Sequence, residues 1–294
     1  MESQERNMPF IKNLASSDRK LRTKSLESLR NFLSARQVAS SLSTLDILKL
    51  WKGLFYALWM CDRPLPQQAL AQDLADLIYV LPGSGSDETE IVETWLRGFW
   101  ATMAREWTGV DVLRLEKFLL LVRRVLGASL AWMKVREQEE GKDGGAKKRK
   151  SSGKEKKQKG KWDAKQVDAV VGVLADYPFV LEEDAQPRKR DGEEADEEEG
   201  EEDKYEAEVK LTPAFVPVGL KLHVLDIWVD EAEKVGLLED EDEEAKDILR
   251  RITEIVDGLE KGTVSPGVRI RARQSLLDDR LPFTNIAGSD AGSE

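Results

Sequence analysis

The chain has 294 residues, of which 40% are hydrophobic and 34% are charged, with 45 Lys and Arg against 56 Asp and Glu. This length allows one large domain or two small ones, each with a real core. The single cysteine, Cys61, excludes an internal disulfide, and the single histidine, His223, excludes a multi-histidine metal site, so we expect neither a metal nor a cofactor.

The negative charge is concentrated in one tract. Residues 1–136 carry 19 basic and 15 acidic residues, whereas residues 182–208 carry 4 basic and 15 acidic residues. That tract alone can account for the net charge of −11. The acidic balance of the whole chain is therefore no argument against a nucleic-acid partner.

Five helices are predicted before residue 136, because apolar residues recur there at helical spacing between start and stop signals. The second of them carries a capping box, in which Ser43 and Asp46 bond each other's backbone. The predicted starts are Ser17 or Asp18, Ser43, Pro64, Asp87 and Asp111.

The second predicted helix, Leu45 to Met60, is apolar on nearly every side, in contrast to the highly charged chain around it. A helix at the rim of a bundle needs one apolar stripe, whereas one between two neighbouring layers is apolar almost all round. We therefore assign its large side chains to the core: Trp51, Leu54, Phe55, Leu58 and Trp59. The run is too short and too charged to span a membrane, and no apolar segment resembling a secretory signal follows Met1.

The remaining chain alternates helical patterns with charged tracts. The predicted organisation is an N-terminal helical array over residues 1–136, a disordered basic loop over 137–161, a further helix within 162–181, a disordered acidic tract over 182–210, C-terminal helices within 211–284 and a disordered tail over 285–294. The three C-terminal helical patterns start near residues 218, 243 and 265. They are too few for a confident separate core, which favours one continuous array.

The predicted fold class is all-α, since alternating short strands with turn dipeptides are absent. Helices recur about every 20 to 25 residues, so a helix pair takes about 40 residues, as in HEAT and armadillo repeats. No repeated motif is visible, and an irregular bundle stays open as an alternative. We favour a HEAT/armadillo-like array with two charged insertions.

No catalytic constellation is present in the sequence. His223 lies in a mostly apolar helical pattern without a Ser or Cys nucleophile signature, which favours a packed histidine over a general base. The glycine-rich stretch at residues 82–86 lacks the Lys-Ser/Thr and the preceding strand of a phosphate loop. We therefore expect a protein that is not an enzyme.

Two basic clusters are candidate RNA-binding sites. Opposite the leucine face of the first predicted helix, Arg19, Lys20, Arg22 and Lys24 form a cationic ridge. In the basic loop, Lys147, Lys148, Arg149 and Lys150 form a candidate nuclear import signal that also suits contact with RNA phosphates. The alternatives are an ordinary polar helix face and a merely solvated insertion.

The stretch "LKLWKGLFYALWMCDRPLPQQALAQDLADLI", from Leu48 to Ile78, resembles the signature block of the nucleolar ribosomal RNA processing protein 1 family, the Nop-type factors of large-subunit assembly. The similarity extends to "FIKNLASSDRKLRTKSLESLRNFL" before it and "WLRGFWATMAREWTGVDVLRLEKFLLLVRRVL" after it. It covers roughly the first 135 residues, and it is mainly one of layout further on.

The resemblance implies a nuclear, nucleolar and non-catalytic helical scaffold in large-subunit precursors, needed for rRNA processing. It also implies partners among assembly factors, including a Brix-domain protein and a WD-repeat protein, together with ribosomal proteins and pre-ribosomal RNA, and no membrane. The residues themselves leave one alternative of another class: a HEAT-like nuclear import adaptor that captures basic cargo.

Overall fold

The computed structural model describes residues 9–35, 39, 41–82, 86–135, 161–181, 215–239 and 242–282. These residues form ten α-helices and two short 3-10 turns, and they contain no strand beyond one isolated bridge. The predicted all-α class is thereby confirmed. None of the described helices is long and apolar enough to cross a membrane.

Six of the described α-helices with stated bounds precede residue 136. They are α1 Pro9–Leu14, α2 Arg19–Ser34, α3 Thr44–Trp59, α4 Pro64–Ala75, α5 Ser86–Glu106 and α6 Val112–Trp132. The sequence predicted five, so the count was wrong: α1 is only six residues long, too short for a helical stripe to register. The described part of α5 begins one residue before the predicted start at Asp87.

Four more helices follow: α7 Ala164–Asp176, α8 Val218–Lys234, α9 Glu243–Gly262 and α10 Pro266–Leu276. The predicted start signals at most helices are confirmed. The side chain of Asp18 accepts a hydrogen bond from the Lys20 N–H at 2.8 Å, and Ser43 and Asp46 form the reciprocal capping box. Pro64 occupies the first turn of α4, where its missing N–H has no cost.

Most of the helices stack in two layers, in which a helix packs against the one two positions away along the chain, while α1 and α9 pack most closely on their chain neighbours α2 and α10. In one layer α1 contacts α3, α3 contacts α5, α5 contacts α7 and α7 contacts α9. In the other layer α4 contacts α6, α6 contacts α8 and α8 contacts α10. This order is typical of helical-repeat arrays of the HEAT type.

Helix α3 lies inside the array and contacts α1, α4, α5 and α6. Trp51, Leu54, Phe55 and Leu58 are buried there, whereas Trp59 is only partly buried. The Trp51 indole packs on Trp95 of α5 at 4.8 Å between ring centroids, and its Nε1 donates a 2.9 Å hydrogen bond to the Trp95 carbonyl. The apolar character of α3 on nearly all sides follows from these four neighbours.

The helices on either side of residues 136–160 are joined by a clasp of two backbone hydrogen bonds. The Val135 N–H donates to the Lys161 carbonyl at 3.0 Å, and the Asp163 N–H donates to the Met133 carbonyl at 2.9 Å. The clasp therefore brings the two flanking segments together at one point, and the stacking of α7 on α5 and of α8 on α6 continues the two layers.

Candidate nucleic-acid interface

The N-terminal helix α2 is amphipathic, and its polar side carries the first predicted RNA-binding cluster. Leu26, Leu29 and Leu33 are buried, while Lys20 and Lys24 are exposed one turn apart. Two lysines spaced in this way present their ammonium groups along the helix axis. This is a geometry that suits successive phosphates of a nucleic acid.

The structure divides the predicted ridge into two parts. The Arg22 guanidinium donates hydrogen bonds to the carbonyls of Ser16 at 2.8 Å and Ser17 at 2.9 Å, which ties it to the turn between α1 and α2. Arg19 and Arg22 also line a cleft beside α4. Lys20 and Lys24 are therefore the two members of the cluster that project away from the array.

The basic character extends beyond α2. Residues 9–59 contain nine lysines and arginines against three acidic residues, two of which cap helices. Helix α1 lies close to Gly53 of α3, where an added Cβ would be 3.3 Å from the Leu14 Cδ1 atom. Lys12 of α1 and Lys52 of α3 are both exposed beside this contact.

The opposite end of the array has the reverse charge. Residues 215–282 contain ten basic and sixteen acidic residues. Many of the arginines there are held in exposed ion pairs, such as Arg280 with Asp230 and Glu233 at 3.0 and 2.7 Å. The hydrogen bond from Arg280 lowers the pKa of Asp278. Within the part of the chain that the structure describes, electrostatic attraction for phosphates is therefore concentrated at the N-terminal helices.

The second predicted cluster, Lys147, Lys148, Arg149 and Lys150, lies outside the described residues. The structure supplies neither geometry nor contacts for it, so its two suggested roles stay predictions.

A buried lysine, which sequence reasoning missed, joins α6 to the C-terminal end of α3. Lys117 of α6 is buried, and its Nζ donates hydrogen bonds to the carbonyls of Trp59 at 2.7 Å and Cys61 at 2.9 Å, so it satisfies the C-terminal end of α3. Burial lowers the pKa of Lys117. Its apolar neighbours in the sequence give no signal, because the bonds depend on how α6 stacks on α3.

The loop after α3 places two charged residues, Asp62 and Arg63, at the rim of the array. Both are exposed, and the Asp62 carboxylate is 4.0 Å from the Lys117 ammonium. The Arg114 guanidinium lies 4.7 Å from the centre of the Trp59 ring, so this partly buried tryptophan makes a cation–π contact at the rim.

His223 occupies a structural position. Its Nε2 is 2.9 Å from the Leu119 carbonyl, and burial lowers the pKa of the imidazole. No group of three or more His, Cys, Asp or Glu side chains placed to hold a metal occurs in the part of the chain that the structure describes.

These observations define an all-helical array protein with a basic N-terminal end. Comparison with known families gives the family: residues 5–189 match the model described as "Nucleolar protein, Nop52", which is more than half of the chain. The chain therefore belongs to the Nop52 family. Membership confirms the resemblance to the ribosomal RNA processing protein 1 family and the predicted nucleolar localisation.

Curated relatives agree with this family. "Ribosomal RNA processing protein 1 homolog A" of Mus musculus is 30% identical over 232 residues, which are 78% of this chain and 35% of the relative. The human homolog B is 36% identical over 229 residues, or 77% of this chain and 22% of the relative. The human homolog A is 39% identical over 133 residues, or 45% of this chain and 28% of the relative.

The chain thus spans about a third of the mouse homolog A and less of the two human relatives. Neither the family description nor these names state a catalytic activity or a role in transport. The comparisons therefore give no support to the alternative of an import adaptor.

Proposed function

We propose that the chain is a non-catalytic helical scaffold of ribosome biogenesis. It binds pre-ribosomal RNA and assembly factors in nucleolar precursors of the large subunit, and processing of the rRNA requires it. The observation that carries this proposal is the basic end of the array, which lies within the family-matched region and belongs to a chain whose relatives are named for ribosomal RNA processing.

RNA binding is assigned to the exposed lysines of α2. Lys20 and Lys24 are exposed, and no ion pair within the described residues has to break before they contact phosphates. Arg19 adds charge beside them, while Arg22 orders the turn that begins the helix. Lys147, Lys148, Arg149 and Lys150 are proposed to act as an import signal and as a further phosphate contact.

Protein partners are assigned to the rest of the array. A two-layered stack exposes long helical surfaces and loops at both edges, which suits simultaneous contact with several proteins. The acidic C-terminal half suits basic ribosomal proteins. By family resemblance, a Brix-domain protein and a WD-repeat protein are further proposed partners.

The test is the salt dependence of RNA binding, measured with a single-stranded RNA and with a structured rRNA fragment. Replacement of Lys20 and Lys24 by Glu removes two phosphate contacts, each worth about 0.7 in the slope of log affinity against log salt for a single strand. We expect the slope to become less steep by about 1.4. The matched control replaces Lys165 and Lys261, exposed lysines of α7 and α9, and leaves the slope unchanged.

The same variants are then followed in cells. We expect the unmodified chain to sediment with large-subunit precursors, and we expect the Lys20→Glu, Lys24→Glu variant to sediment less with them and to accumulate unprocessed rRNA. If the chain binds a basic peptide but neither binds RNA nor sediments with the precursors, the proposal is contradicted. That result would favour the alternative of a nuclear import adaptor.

A further inference from the structure

The layer that contains the even-numbered helices has one loose seam. Helices α4, α6, α8 and α10 pack successively against each other, whereas α2 and α4, both fully described, lack comparable close packing. The Arg30 guanidinium and the Asp73 carboxylate join these two helices at 3.8 Å. Between the helices lies a cleft of about 220 Å³.

The cleft has an apolar floor and a cationic rim. Leu14, Leu26 and Leu70 line it together with small residues of α3 and α4. Arg19 and Arg22 stand on the side of α2. The carboxylate on the opposite side, Asp73, is already paired with Arg30. The cleft therefore offers burial to an aliphatic side chain and attraction to neighbouring negative charges.

We infer that this cleft is a docking groove for an acidic amphipathic helix of a partner protein, with a leucine-type side chain inserted between α2 and α4. A helix suits the cleft because an amphipathic helix can lay its apolar face into a hydrophobic groove. Charge complementarity selects an acidic partner, because the rim arginines lie within the basic N-terminal stretch of residues 9–59. This inference rests on the proposed scaffold function.

The chemistry of the lining favours a protein over RNA in the cleft. Nucleobases bind sequence-tolerant sites mainly by stacking on aromatic rings. No aromatic side chain is among the residues that line this cleft. The basic end of the array is thereby divided: Lys20 and Lys24 face outward toward phosphates, and Arg19 faces the groove.

The experiment measures binding of three fluorescent helical peptides by anisotropy. Each has about 18 residues, or five turns, and one stripe of leucines, and the flanking positions are Glu, Gln or Lys. We expect the Glu peptide to bind most tightly and the Lys peptide not to bind. Equal affinities for the Glu and Lys peptides, or no binding of the Glu peptide, would overturn the inference.

Two pairs of adjacent variants locate the binding. Ala69→Trp fills the cleft without a change of charge, while Gln68→Trp adds the same ring to an exposed position outside it. Arg19→Glu reverses a charge on the rim, while Lys20→Glu makes the same reversal outside the cleft. We expect Ala69→Trp and Arg19→Glu each to weaken the Glu peptide about tenfold or more, which is about 1.4 kcal/mol. Their partners should have clearly smaller effects.

Competition with single-stranded RNA distinguishes the remaining outcomes. If RNA displaces the peptide, and if the Ala69→Trp variant no longer binds RNA, the cleft binds RNA and the inference is wrong. If the peptide fails while RNA binding and co-sedimentation persist, only the groove is refuted. Failure of the unmodified chain to bind RNA and to co-sediment would refute the proposed scaffold function instead.

Discussion

Replacement of Gly98 by Ala is expected to destabilise the array, although the same change usually stabilises a helix. In a helix interior, Gly→Ala gains about 0.5 to 1 kcal/mol, because the unfolded chain loses conformational freedom. At Gly98 of α5, however, the new Cβ would lie 2.4 Å from the Ile47 Cγ2 atom and 3.2 Å from the Trp51 Cδ1 atom of α3.

The magnitude follows from the atoms that must move. The Ile47 methyl is attached directly to its own Cβ, and a β-branched residue in a helix has essentially one χ1 rotamer, so it cannot turn aside. Helices α3 and α5 must separate instead, and Trp51 and Trp95 lose part of their contact. Overpacking of this kind costs about 1 to 3 kcal/mol. After subtraction of the helix gain of about 0.5 to 1 kcal/mol, we expect a net loss of about 1 kcal/mol, and of about 2.5 kcal/mol at most.

The assay is urea unfolding followed by circular dichroism, with Gly258→Ala as the matched control. Gly258 lies in the interior of α9, and an added Cβ there meets nothing within 4 Å, so we expect a gain of about 0.5 to 1 kcal/mol. Ile47→Ala removes the clashing methyl, and the double variant should lose less than the sum of the single losses. A Gly98→Ala protein at least as stable as the unmodified chain would refute the reasoning.

Three further predictions concern stability. Trp51→Ala should lower the free energy of unfolding by about 3 to 5 kcal/mol. Trp51→Phe should lower it by only about 1 to 2 kcal/mol, because Phe keeps most of the packing and loses the hydrogen bond to the Trp95 carbonyl. Equal losses for the two variants in urea unfolding would contradict this prediction. Burial lowers the pKa of His223, so the unfolded chain takes up its proton first. The free energy of unfolding should therefore fall as pH drops below about 6.5, and it should fall less in the His223→Gln variant. NMR titration of the single imidazole can check that its pKa is lowered in the folded chain. Asp278→Asn should be less stable than the unmodified chain near pH 7, and this difference should shrink below about pH 4, where the lowered pKa of Asp278 no longer contributes.

Local signals in the sequence predicted the helices well. Ser43, Asp46 and Asp111 define helix starts through bonds to backbone groups three residues away, and such bonds depend on nearby sequence alone. Helix α1 has only six residues, too few for apolar residues to recur at helical spacing. Its packing on α3 depends on Gly53, and the sequence gives no sign of this contact because it forms only in the folded array.

The candidate site was less accessible to sequence reasoning. Charge density identified α2, but the different positions of Arg19 and Lys20 depend on where α4 stacks relative to α2. Lys117 of α6 donates to the carbonyls of Trp59 and Cys61, at and just beyond the end of α3, which are 58 and 56 residues earlier in the chain. Side chains that satisfy backbone groups at such separations leave no local pattern, because their partners are chosen by tertiary packing.

The clasp between Val135 and Lys161 has a consequence for how such a protein can diversify. Because the two backbone bonds bring the helix ends together, the register of α6 against α7 is fixed by the clasp and not by the number of residues between its two sides. Extra residues, an affinity tag or a fluorescent domain inserted there should leave the stack intact. Relatives can therefore differ freely in length at this point while they inherit the same architecture.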